Sequence, residues 1–193
     1  MSDPQELVKV RIKKVFGPTQ TGTAVLIGDD EKTFVMYIGY FEGAALIREL
    51  NGEEPVRPFT HELLSYVLTG FDIEIKQVII SDIVGTTFCA TLILEQKVLD
   101  ESEQWVGKRN EVRIDARPSD CLVLACKHKA DIWCARSVLA QVRDVSEVAE
   151  EAKSEDDEGE GFGKHSFKEM WDEIDDALGH EQDEDEAEEK DAD

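Results

Sequence analysis

FDIEIKQVII, Phe71–Ile80, followed after Val84-Gly85 by TTFCATLIL, Thr86–Leu94, decides the fold. Apolar and charged residues alternate along the first run, as in a strand with one solvated face. Val84-Gly85 turns the chain, and the second run is again strand-like, so the two segments read as a hairpin. Upstream, Val8, Val10 and Ile12 alternate with Lys9, Arg11 and Lys13, giving another half-solvated strand. Thr23–Gly28 and Thr33–Ile38 follow as strands separated by the turn-forming Asp29–Lys32. The N-terminal part is expected to form an antiparallel meander.

Helical spacing appears between these runs. Gly39–Gly43 opens a helix through Ala44, Leu46, Ile47 and Leu50, which Asn51-Gly52 ends. Thr60 is expected to cap a second helix through Leu63, Leu64, Val67 and Leu68, ending at Gly70. Glu111–Asp115 reads as a short strand, and Pro118 suits the first turn of a third helix carrying Leu122, Val123, Ala125 and Cys126. Asp131–Ala135 returns to the sheet, and Ser137–Val142 forms a short last helix. The expected class is α+β: an antiparallel or mixed sheet packed with helices in one compact domain over residues 5–148.

Charge divides the chain differently. Residues 151–193 carry 20 Asp/Glu against 4 Lys/Arg, whereas residues 1–150 carry 24 against 17. Most of the net charge of -23 therefore lies in a C-terminal appendage. Residues 149–165 read as an acidic linker and 180–193 as a disordered acidic tail. Between them, residues 166–179 carry Phe167, Met170, Trp171, Ile174, Ala177 and Leu178 at helical spacing. That amphipathic helix is expected either to dock on its own domain or to bind a protein partner. Acidity of this order opposes passive nucleic-acid binding, unless the tail lies away from a local basic patch or masks it.

The four cysteines form no CxxC pair and lie mostly in apolar runs, so free thiols in a reducing compartment are expected. The opening MSDPQELVKV has no signal-peptide core, and no apolar run is long enough to span a bilayer. A cytoplasmic protein with no membrane association is the expectation. P-loop, dinucleotide, HExxH, nucleophile-elbow and zinc-finger patterns are all absent.

The best candidate chemistry lies in Asp115-Ala116-Arg117-Pro118-Ser119-Asp120. Asp115 and Asp120 flank a strand–helix junction and could hold a divalent cation, magnesium or manganese, through oxygen ligands. Arg117 and the helix start could face a phosphate. Both are what phosphodiester cleavage needs. The structural alternative has Asp120 stabilising the positive helix end while Arg117 pairs with Asp115. His61 offers a general base or a ligand, and a packed histidine is the competing reading. His128, near the end of the third helix, reads as surface. Lys9, Arg11, Lys13 and Lys14 form the one dense basic patch of the domain, and it could touch a phosphate backbone; a solvated strand face explains them equally well.

Three of these segments occur together: Arg57–Leu64 (RPFTHELL), Phe88–Leu92 (FCATL) and Ile114–Cys121 (IDARPSDC). In this order they resemble the bifunctional nuclease domain family, over roughly residues 5–145. Where many relatives have Asp after the histidine this chain has Glu62, and where many have Ala after Ser-Asp it has Cys121. The resemblance implies a compact, frequently self-associating α+β domain with activity on RNA and DNA. It singles out Arg57, Thr60, His61, Asp115, Arg117, Ser119 and Asp120. On the nuclease reading, Asp115 and Asp120 bind the metal ion, Arg57, Arg117 and Ser119 hold substrate, and His61 moves the proton. The other reading is a non-enzymatic scaffold or regulatory module.

Overall fold

The computed structural model describes residues 6–19, 22–99, 102 and 104–147. The expectations for the acidic linker, the amphipathic segment and the tail lie outside them. The element order is β1 (Leu7–Thr19), β2 (Gly22–Gly28), β3 (Thr33–Ile38), α1 (Tyr40–Leu50), α2 (Thr60–Gly70), β4 (Ile73–Val84), β5 (Thr87–Leu99), β6 (Trp105–Ala116), α3 (Pro118–His128), β7 (Asp131–Ala135) and α4 (Arg136–Gln141).

The strands form one mixed sheet in the order β3-β2-β1-β7-β4-β5-β6. The N-terminal meander and the β4–β6 ladder are each antiparallel. After β6 the chain crosses through α3 and inserts β7 between the two halves, antiparallel to β1 and parallel to β4. The parallel pairing follows from that crossover, since a helix can return the chain alongside a strand running the same way. Ile132, Cys134 and Ala135 of β7 are buried, as a central strand requires. The expected α+β class holds.

Helices α1, α2 and α3 pack on the sheet around Leu46, Leu68, Val78, Leu92 and Leu122. One close approach is set by Gly43 of α1, where a Cβ would collide with Thr23 of β2. The sheet also curls. Phe34 on β3 and Phe88 on β5 stack at 5.8 Å between ring centroids, although four strands separate β3 from β5 in the sheet order. This curl brings the β4–β5 turn and the end of β6 close to the end of β3.

Two local expectations need correction. Strand β6 is far longer than Glu111–Asp115, because its polar first half is held by cross-strand charge pairs. Arg109 reaches Glu74 at 2.9 Å and Glu95 at 3.3 Å, and Lys76 reaches Glu95 at 2.6 Å and Glu111 at 2.9 Å. Thr60 is the first helical residue of α2 rather than its cap. Phe59 occupies the cap position, and its backbone N–H donates to Glu62 Oε2 at 2.9 Å. Glu62 thus supplies the reciprocal half of a capping box without a hydroxyl at the cap.

The described cysteines are free, with Cys121 and Cys134 buried. Burial pushes both thiols up to about 12, which keeps them protonated and poor as ligands or nucleophiles. No helix among the described residues is long and apolar enough to cross a membrane.

Candidate functional site

Arg117 links the end of β6 to α3. Its backbone is extended at the cap position (φ -67, ψ 139), and Pro118 starts the helix. Asp120 then falls in the first turn, within reach of the Arg117 side chain. Arg117 donates from Nε to Asp120 Oδ2 at 2.8 Å and from Nη2 to Oδ1 at 3.2 Å. Its remaining terminal nitrogen, Nη1, donates to Glu42 Oε1 of α1 at 2.7 Å. His61, in the first turn of α2, places Nε2 3.1 Å from Asp120 Oδ1. Asp120 thus joins α2 to α3 directly, and Arg117 ties α1 into the same cluster through Glu42.

Burial would raise the Asp120 carboxyl, but the hydrogen bonds from Arg117 and His61 outweigh it and hold the group below its ordinary value. The hydrogen bond to Asp120, followed by that to Glu42, raises Arg117 further above its already high value. Asp120 is thus a carboxylate with both oxygens engaged.

A second cluster fixes the same helices from behind. Lys127 of α3 lies 2.7 Å from Glu49 of α1 and 3.3 Å from the buried Glu62 of α2. Ser65 donates to the His61 carbonyl at 3.0 Å, and its Oγ lies 2.8 Å from His128 Nε2. With the hydroxyl proton committed to the carbonyl, Nε2–H of His128 is the donor in that contact. His128 is therefore not a plain surface residue; burial, then the charge of Lys127, lowers its pKa.

Two clefts adjoin the Asp120 cluster. One, of about 360 Å³, is lined by Phe41, Arg48, Phe59, His61, Arg117 and Asp120. The other, of about 580 Å³, lies between the end of β3, the start of β5 and the α3 N-terminus. Asp115 and the largely buried Ser119 line this larger cleft. Arg117 and Glu42 line both and form the wall between them.

The structure brings together His61, Arg117 and Asp120. It does not bring Asp115 into that cluster, and the expected Arg117–Asp115 pair is replaced by Arg117 with Asp120 and Glu42. Arg57 is exposed in the loop before α2 and makes no ion pair with a described residue. The β1 cations lie elsewhere: Lys9 pairs with Asp131 at 2.7 Å, Arg11 with Asp30 at 2.7 Å, and Lys13 Nζ donates to Thr33 Oγ1 at 2.6 Å. Glu42 escaped the sequence reading because its only local signal is an acid in a first helical turn. Its partner lies 75 residues away.

A metal ion fits this arrangement poorly. Both Asp120 oxygens already accept N–H bonds, Asp115 faces another cleft, and the described residues contain no group of three or more His, Cys, Asp or Glu able to hold an ion.

Fold and cluster together define a curled α+β domain with a histidine–carboxylate–arginine site at the junction of three helices. The model of the bifunctional nuclease domain matches residues 24–147, and the chain belongs to that family. Two relatives from Mycobacterium tuberculosis, the uncharacterized protein MT1877 of strain CDC 1551 / Oshkosh and the uncharacterized protein Rv1829 of strain H37Rv, are each 30% identical over 143 residues. The match covers 72% of this chain and 76% of each relative.

Proposed function

We propose that this protein is a nuclease that hydrolyses phosphodiester bonds of RNA or DNA at the His61–Asp120–Arg117 cluster. The observation that carries the reading is the 3.1 Å contact of His61 Nε2 with an Asp120 carboxylate oriented by Arg117, at the edge of an open cleft. A carboxylate on Nε2 favours the tautomer with the proton there, leaving Nδ1 as acceptor. A water that loses its proton to Nδ1 forms the new P–O bond as the bond to the leaving sugar oxygen breaks, and that oxygen takes up a proton from solvent. Arg117 supplies N–H donors for the charge that develops on the phosphoryl oxygens. Asp120 orients the imidazole and stabilises its protonated form.

The family name supports the nuclease class. Magnesium or manganese at Asp115 and Asp120 enters as an arm of the experiment, and no step above passes through an ion. Ser119, in the neighbouring cleft, and Arg57, in the exposed loop before α2, are substrate-binding candidates, while Lys9, Arg11 and Lys13 would contact only the distant backbone of a long substrate. Self-association, expected from the family, would use exposed apolar residues such as Leu63, Tyr66 and Val67 of α2.

A second reading has its own observation. Glu42, Arg117, Asp120 and His61 satisfy one another, which suits a structural clasp in a regulatory module. Cleavage of labelled single-stranded RNA and DNA, with and without magnesium or manganese, separates the two. His61→Ala, verified as folded by circular dichroism, should lower cleavage at least 100-fold. Absence of wild-type cleavage under all ionic conditions, or equal cleavage by both proteins, would leave the clasp reading standing.

A further inference from the structure

The aromatic rim of the smaller cleft is not used by the chemistry above. Phe41 opens α1 with 82% of its surface exposed, and its ring meets that of Tyr40 edge-on at 5.3 Å. Phe59 is 55% exposed at the cap of α2, and the Arg48 guanidinium lies 4.3 Å from its ring centroid. Both phenylalanines line the cleft that holds His61, Arg117 and Asp120.

The rim carries a cation without a carboxylate partner among the described residues. Most cations of the domain are matched to acids: Lys9, Arg11, Lys76, Arg109 and Lys127 all have carboxylate partners. Arg48 and Arg57 have none among the described residues. The cleft acids, Glu42 and Asp120, are committed to Arg117 and His61. Glu53 and Glu54 of the intervening loop line a different cleft, with Pro55 and Val56. Arg48, which lies over the Phe59 ring and has no carboxylate partner among the described residues, is therefore the cation of this rim left available to a ligand.

We propose that Phe41 and Phe59 are stacking platforms for unpaired bases, with Arg48 holding the phosphate between them, so that the site takes single-stranded nucleic acid in preference to duplex. The proposal rests on the nuclease reading and names its substrate class. Exposed aromatic faces interleaved with cations suit a single strand, because every unpaired base offers a π-face, whereas a duplex keeps its bases stacked inside. Arg48 on the Phe59 ring adds a cation–π contact and leaves guanidinium N–H groups for phosphate.

The test is fluorescence anisotropy with a labelled 12-nucleotide single strand and a duplex of equal length, at low salt, on the full chain carrying His61→Ala so that the probe survives. The single strand should bind at least 10-fold tighter than the duplex. Phe41→Ala and Phe59→Ala should each weaken single-strand binding by roughly 5- to 150-fold, the range for loss of one stacked base. Phe41→Leu, which keeps apolar bulk but no π-face, should behave like Phe41→Ala, whereas Phe41→Trp should retain binding. Equal affinity for duplex, or full binding by Phe41→Leu, would overturn the proposal. It also falls if the alanine variants bind normally but change sedimentation from dimer to monomer, which would assign the rim to a second copy of the chain. Phe-dependent binding with no cleavage by the wild type would sink the nuclease reading alone; wild-type cleavage unaffected by Phe41→Ala and Phe59→Ala would sink the platform alone.

Discussion

Asp120→Asn removes the charge at the point where α1, α2 and α3 are tied together. The carboxylate accepts from Arg117 Nε at 2.8 Å, from Arg117 Nη2 at 3.2 Å and from His61 Nε2 at 3.1 Å. An asparagine retains one carbonyl oxygen and turns an NH2 toward a donor. A hydrogen bond to a charged group contributes about 1.5–3 kcal/mol, but the Arg117 side chain is 63% exposed and that of Asp120 30%, so solvent screens much of the total. The expected loss is about 1–3 kcal/mol at pH 7. With a urea m-value of about 2 kcal/mol/M, the unfolding midpoint moves down by roughly 0.5–1.5 M. The pH dependence makes the test sharper. The folded-state carboxyl lies below its ordinary value, so its stabilising contribution is complete above the unfolded carboxylate value of about 4 and drains away as pH falls through the folded value. Urea titrations at pH 7, at pH 5 and at the lowest pH where the wild type remains folded should show a steady gap between the first two and a shrinking gap at the third. An unchanged midpoint at pH 7 would refute the energetic role assigned to the cluster. A gap that persists undiminished through the acid range would show that the loss is one of shape and not of charge.

Other substitutions probe the surroundings. Lys127→Met leaves the buried Glu62 and the adjacent Glu49 without their shared cation, and should cost roughly 3 kcal/mol in thermal or urea unfolding; adding Glu62→Gln should recover part of it. Because His128 has a lowered folded-state pKa, the wild type should lose stability as pH falls below the unfolded histidine value of about 6.5. His128→Gln should remove that component, read as a flatter midpoint-against-pH curve between pH 8 and 5. Gly43→Ala drives a methyl group into Thr23 and should destabilise by about 1–3 kcal/mol in the same unfolding assay, with partial rescue by Thr23→Ala.

Strand periodicity makes much of the sheet legible in the sequence. The β4–β5 hairpin and the β1–β3 meander follow from alternation and turn residues over short spans, where the signal lies within the segment itself. Strand β6 was underestimated because Gly107, Lys108, Arg109 and Asn110 carry no apolar alternation; Glu74 and Glu95 on neighbouring strands supply what local propensity lacks. The first turn of α2 was found one residue late, because the acid that caps it backwards, Glu62, is a weaker signal than a hydroxyl at Thr60.

The sequence by itself determined the α+β class, the β1–β3 meander, the β4–β5 hairpin, the helices that carry the candidate residues and the concentration of acid after residue 150. Those properties depend on residue order within windows of ten or so positions. Only the tertiary structure decided which candidates meet. His61 and Asp120 are 59 positions apart, and Glu42 and Arg117 are 75 apart. Insertion of β7 between the half-sheets and packing of α1, α2 and α3 on one core set those distances. Asp115, only five positions from Asp120, instead lines the neighbouring cleft. Proximity along the chain stops predicting proximity in space where a strand ends and a helix begins, since the chain direction and the side-chain period both change there.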